Sequence, residues 1–156
     1  ILDETSAALN KIFAERGFAD AADRAARSVD AMHRAFPEAL VEAHASVAAL
    51  TFGLPDLNDE HVLAAAVQTQ AQAVVTENII DFPAAILAPL HIESRTADEF
   101  IADTIALDEG KAVAAIRTLR VRLRKPEMSA EDYLRSLEAH GLFVTASILS
   151  GHAESI

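Results

Sequence analysis

No cysteine and no tryptophan occur in these 156 residues. The lack of cysteine excludes a disulfide framework and a thiolate zinc site, and fits a reducing cytoplasm. Five glycines and five prolines leave few breaks, and aromatic residues are only 5 %. Alanine and the aliphatic residues must therefore fill the interior, which points to a closely packed, helix-rich domain. No run of about 18 uncharged apolar residues is present, so no membrane span is expected. The start also lacks the basic region and apolar run of a signal peptide. Basic residues are scarce too: 13 against 24 acidic ones, for a net charge of −11. That balance argues against a surface that binds nucleic acid everywhere.

The cations that exist are gathered. Lys111, Arg117, Arg120, Arg122, Arg124 and Lys125 lie within one short segment. A basic helix face on an acidic body can hold a polyanion locally or meet an acidic neighbour. Hydrophobic residues make up 51 % of the chain, enough for an ordered domain with a real core. The sequence opens on Ile1 and runs directly into a helical pattern, so it reads as a fragment whose natural protein begins upstream.

Periodicity predicts helices over 1–16 and 19–35, the second with Ala22, Ala26, Val29 and Met32 on its apolar face. A shorter helix is expected after Pro37, and a strong one over 59–72 with Val62, Leu63 and Ala66 inward. The run Ala73-Val74-Val75-Thr76 reads as a buried parallel strand, and 91–94 as a second, weaker strand. Thr96-x-x-Glu99 and Ser129-x-x-Asp132 are N-terminal capping patterns. Beyond Asp108 only helices are expected, over 108–124, 129–139 and 142–149. A helix, a strand, a short helix and a strand make an α/β unit. Two strands are too few for a stable sheet, so a further strand is expected upstream of Ile1.

Two polar segments stand out against this scaffold. In "LPDLNDEHVLAAA", Asp56, Asn58 and Asp59 sit at a helix start, where unpaired N–H groups favour carboxylates. In "AVVTENIIDFP", Thr76, Asn78 and Asp81 follow the strand, and the carboxyl ends of strands are where α/β sheets gather ligands. The bland reading of both is capping, with Asp81 capping a turn around Pro83 to Leu87. The connectivity suggests more, because a helix of about 20 Å returning along a short strand would bring its first residue toward the strand's end. Asp59, Asn78 and Asp81 together would offer oxygen donors suited to Mg²⁺ or Mn²⁺ rather than zinc. Glu60 and Glu77 beside them are expected to face solvent, and His61 to be a partly exposed helix residue.

These paired segments resemble the second half of the PIN domain, as found in VapC-type toxins of toxin–antitoxin pairs. "LRVRLRKPEMSAEDYLRSLEAHGL" is similar to the helical C-terminal extension of one branch of that family. The resemblance implies a PIN-like three-layer α/β/α fold with a short parallel sheet, over residues 1–107, followed by a helical extension over 108–156. It implies a Mg²⁺- or Mn²⁺-dependent endoribonuclease of the cytoplasm, with an RNA substrate, a protein antitoxin and a homodimeric state. Glu4, Asp59 and Asp81 match the family's metal-binding acids, and Thr76 and Asn78 its polar partners; Asp3 neighbours Glu4, and Asp56 is a candidate outer helper. The family's remaining acid lies on its first strand, which has no counterpart here. A non-catalytic PIN relative, serving as a dimerising or partner-binding scaffold, is the alternative. No nucleophile elbow, P-loop or GxGxxG motif points elsewhere.

Overall fold

The computed structural model describes residues 2–41, 50–124 and 127–156, and they gather into two compact units that divide between Ala71 and Gln72. The first unit opens with α1 (Leu2–Glu15), turns at Gly17 and continues into α2 (Ala21–Ala35). Gly17 has φ +80°, a left-handed conformation that a side chain would strain. The two helices pack together as a hairpin, braced at the turn by an edge-on contact of Phe13 and Phe18 with centroids 6.1 Å apart. Arg24 lies over the Phe18 ring at 4.2 Å and also bonds Asp20 at 2.7 Å. Its guanidinium, with help from Arg27, holds the Asp20 carboxyl below the ordinary value.

The buried face of α2 is not the one its pattern suggested. Ala21 and Ala25 are buried while Ala22 and Ala26 are exposed, and Met32 is 41 % exposed. Alanine occupies both faces, so the hydrophobic pattern could not choose between them. The helix expected after Pro37 falls largely on residues 42–49, outside the described residues; before them, Pro37–Ala39 form a single 3₁₀ turn.

Helix α3 (Glu60–Gln68) buries Leu63, Ala64 and Ala66, with Val62 only half-buried. It ends four residues earlier than the pattern suggests. The Thr69 hydroxyl bonds back to the Ala65 carbonyl at 2.9 Å, and Gln70 then takes a left-handed turn at φ 54°, which no helix continues through.

The second unit carries the sheet. Strands β1 (Ala73–Val75) and β2 (Glu93–Arg95) pair in parallel, with Val74 opposite Ser94. Among the described residues the sheet has these two strands. β2 lies two residues later than expected because His91 adopts φ 58° and closes a 3₁₀ turn onto the Ala88 carbonyl. The crossover holds the short helix α4 (Ala84–Leu87), and it buries Phe82 and Leu87, with Val74 and Ile92 buried on the strands' side.

Four helices follow: α5 (Ala97–Leu107), α6 (Glu109–Arg122), α7 (Ala130–Ala139) and α8 (Phe143–Ser150). The Thr96/Glu99 capping box forms in full, and Ser129 caps α7 through the Asp132 amide. Ile105 from α5, Val113 from α6, Tyr133 from α7, Leu149 from α8 and Ile156 close one hydrophobic cluster.

Asp98 fastens α5 to the start of α8. Its carboxylate accepts the amides of Val144 and Thr145 at 2.8 Å each, across 46 and 47 residues. Partial burial raises its pKa, but the Thr145 and Val144 hydrogen bonds outweigh that and the net shift is downward. A lowered carboxyl pKa adds stability above the unfolded value of about 3.9, and that contribution fades as pH falls through the folded value. Asp98→Asn is therefore expected to cost about 1–2 kcal/mol at neutral pH, and the penalty should shrink as pH falls below the unfolded value, as read by urea unfolding over a descending pH series.

Candidate functional site

The polar turn after β1 is built by its own side chains. The Thr76 amide continues the sheet by bonding the Arg95 carbonyl at 2.8 Å, which fixes where the strand stops. The Thr76 hydroxyl then accepts the Asn78 amide at 3.0 Å, a local turn typical of Thr. Ile79–Asp81 form a 3₁₀ turn that swings Asp81 back, and the Asn78 side-chain amide donates to Asp81 Oδ2. Asp81 is half-buried beside buried Phe82. The expectation that Asp81 caps the next helix is corrected: Pro83 occupies that N-cap with no side-chain cap, because the turn points the Asp81 carboxylate toward Asn78 instead.

Glu77 is exposed as expected, and it is also engaged. Its carboxylate accepts the Ala97 amide at 3.0 Å, at the first turn of α5. One residue after the strand thus ties the turn to the helix that follows β2. The signal for this lay twenty residues away, so no local pattern could show it.

In the first unit, the start of α3 is assembled from Asp56, Asn58, Asp59, Glu60 and His61. Asp56 Oδ1 accepts the Asn58 backbone amide at 2.8 Å and its side-chain amide at 2.9 Å, capping the 3₁₀ turn Leu57–Asp59. Asp59 takes the N-cap position of α3 but makes no capping hydrogen bond with its side chain. Glu4, exposed in the first turn of α1, has its Oε2 3.9 Å from His61 Nε2. The other ring nitrogen of His61 lies 2.6 Å from the Asn58 carbonyl, and because a carbonyl only accepts, Nδ1 carries the proton. Glu4 and the opening of α3 are thereby neighbours within this unit. Asn58, Glu60 and His61 also line a largely apolar groove of about 870 Å³ whose far wall includes Met32, Phe36 and Leu40.

Glu60 is the residue whose role the sequence concealed. It was expected to face solvent; instead its two carboxylate oxygens accept the consecutive amides of Phe52, Gly53 and Leu54 at 2.8, 2.8 and 3.0 Å. Gly53, at φ +83°, supplies the turn that lets three successive N–H groups converge. Burial raises the Glu60 pKa, but the three amide bonds outweigh it and the net shift is downward. Glu60→Gln, which keeps the shape and removes the charge, is expected to cost about 1–3 kcal/mol at neutral pH. Urea unfolding checks this, and the penalty should shrink as pH falls below the unfolded value of about 4.3.

Similarity to known proteins follows the same two segments. A family described as the PIN domain matches residues 1–80, just over half of the 156, and one described as the VapC50 C-terminal domain matches residues 97–151. A protein of Mycobacterium tuberculosis (strain ATCC 25618 / H37Rv), named as a candidate ribonuclease VapC50, is 38 % identical over 76 residues. That match covers 44 % of this chain and 45 % of the relative, so the chain spans under half of the relative's length. No solved structure matches the chain at a significant level. The PIN match over the helices and turn that carry Glu4, Asp59, Thr76 and Asn78, joined to the second match over α5 to α8, means that this chain belongs to the PIN-domain family, in the VapC-type branch with a C-terminal extension.

Proposed function

We propose that the chain acts as a metal-dependent endoribonuclease, the toxin of a toxin–antitoxin pair, working in the cytoplasm as a homodimer under the control of a protein antitoxin. The observation that carries this reading is the turn after β1. There a parallel strand ends in a hydroxyl, an amide and a carboxylate locked to one another, at the edge where such sheets place ligands. Its relative's name, a candidate ribonuclease, supports the same activity. No helix among the described residues is long and apolar enough to cross a membrane.

In this reading Glu4, Asp59 and Asp81 hold one or two divalent ions. The donor set fits Mg²⁺ or Mn²⁺: every proposed ligand is a carboxylate oxygen, and no cysteine competes for a softer metal. When bound, such a cation supplies charge neutralisation at the phosphate and activation of water. The chain's own residues do the positioning. Asn78 engages Asp81 Oδ2, which restrains the carboxylate that would hold the cation. Thr76 restrains Asn78 in turn through its backbone amide, and the two residues would orient the water or the metal. Preorganised donors of this kind cost no rearrangement when the phosphate arrives.

The test is cleavage of a mixed RNA substrate by the full-length protein with Mg²⁺ or Mn²⁺, beside EDTA and beside folded Asp59→Ala and Asp81→Ala variants. Cutting that needs the metal and disappears in both variants supports the reading. No cutting with any divalent metal, or cutting that survives both substitutions, overturns it.

A further inference from the structure

The cations of the second unit divide into two groups. Arg95 is held between Glu93 and Asp103, Lys111 by Asp108, and Arg135 by Glu131 and Asp132. Arg120 is half-buried and donates to the Met128 carbonyl at 2.6 Å, with its Nε shut away from solvent. Arg117 and Arg122 on α6, and Arg124 just past its end, are exposed, and among the described residues they meet no carboxylate. That is unexpected in a chain with 24 acidic residues and 13 basic ones. The negative end of the helix dipole favours cations in the last turn, which accounts for Arg120 and Arg122. It does not account for Arg117, more than a turn earlier, or for Arg124 beyond the helix.

Leu119, Val121 and Leu123 alternate with these arginines and are 53 %, 53 % and 40 % exposed. Unpaired guanidinium groups are suited to phosphate, which they can grip through two parallel hydrogen bonds. Aliphatic side chains between them offer apolar surface to the sugars and unstacked bases of an unpaired strand. A duplex would present phosphates, 2′-hydroxyls and the edges of stacked bases, but no unstacked base faces, and would leave that apolar surface wet. We propose that Arg117, Arg122 and Arg124 form a phosphate-binding track for single-stranded RNA on the second unit, separate from the residues assigned to the metal. The track rests on the reading of the chain as acting on RNA, and it sets how the strand is held rather than how it is cut.

Binding of a labelled oligouridylate by the full-length protein, followed by fluorescence anisotropy in EDTA, reads the track without cleavage. Each phosphate contact on a single strand contributes about 0.7 to the slope of log affinity against log salt. Replacing all three arginines (Arg117→Gln, Arg122→Gln, Arg124→Gln) is therefore expected to lower that slope by about 2. Between about 50 and 200 mM salt, the unsubstituted protein should lose on the order of 20-fold more affinity than the triple variant. A control with the same change in net charge, Lys11→Gln with Arg16→Gln and Arg34→Gln, should keep the original slope. An unchanged slope in the arginine variant, or no binding by the unsubstituted protein at the lowest salt, overturns the track. So does unchanged RNA binding with loss of poly-glutamate binding, which would assign the face to an acidic protein. Metal-dependent cleavage is scored separately. Cutting by a protein whose RNA binding ignores the three arginines keeps the ribonuclease and removes the track; arginine-dependent binding without cutting does the reverse.

Discussion

Asp81→Ala is expected to abolish RNA cleavage, with a fall of about 10²–10⁴-fold, while the protein stays folded. The size follows from what the carboxylate is proposed to do. A cation held at the scissile phosphate contributes several kcal/mol to the reaction, and each 1.36 kcal/mol is about tenfold in rate. The fold should survive because Asp81 lies in a surface turn and no backbone amide depends on its side chain as a cap. Asn78→Ala should give a smaller loss, since it leaves the carboxylate in place and removes only the amide that orients it. Initial rates at saturating Mn²⁺ separate the two variants. A Mn²⁺ titration should show weakened binding for Asp81→Ala and near-normal binding for Asn78→Ala. If Asn78→Ala were as damaging as Asp81→Ala in both measurements, the amide would itself be a ligand rather than a positioner.

The second large effect concerns stability. Leu149 is fully buried and belongs to the cluster that joins α5, α6, α7 and α8. Leu149→Ala is expected to cost about 3–5 kcal/mol, as the lost transfer energy adds to the cavity left behind. For a chain of this size, that lowers the melting temperature by roughly 10 °C or more. The molecule provides its own probe: it has one tyrosine and no tryptophan, and Tyr133 sits in that same cluster. Intrinsic fluorescence therefore follows the second unit's core directly. Leu107→Ala, at a residue 86 % exposed, should change stability by less than about 0.5 kcal/mol. Equal losses for the two substitutions would mean that the cluster around Leu149 does not form.

What could be read in advance was local. The capping pairs Thr96/Glu99 and Ser129/Asp132 are three residues apart, and both formed. β1 announced itself through three apolar residues in a row. β2 is Glu93-Ser94-Arg95, a polar strand with no alternation to detect, and its register is set by the left-handed His91 before it. The end of α3 was missed for a related reason: Gln70 occupies a conformation usually signalled by glycine or asparagine. Among the site residues, the sequence grouped Thr76, Asn78 and Asp81 in one turn, and the hydrogen bonds there agree. It did not reveal Glu60, Glu77 or Asp98 as anchors. Their partners are backbone amides, which leave no trace in residue type, at separations from six to forty-seven residues.

The bond from Asp98 to the start of α8 also has a meaning in time. A nascent chain is delivered to solution one residue after another, and units ordinarily fold as they emerge. Here the pair that must meet is separated by 46 residues, and the hydrophobic cluster waits for Leu149 and Ile156. While the ribosome is still making α6 and α7, Ile105 and Val113 have no complete partner. The cluster of the second unit therefore cannot be completed until residues near 150 have left the ribosome. A ribosome stalled a few codons short of Leu149 would display a PIN chain whose β1 turn is already synthesised but whose scaffold is not yet closed.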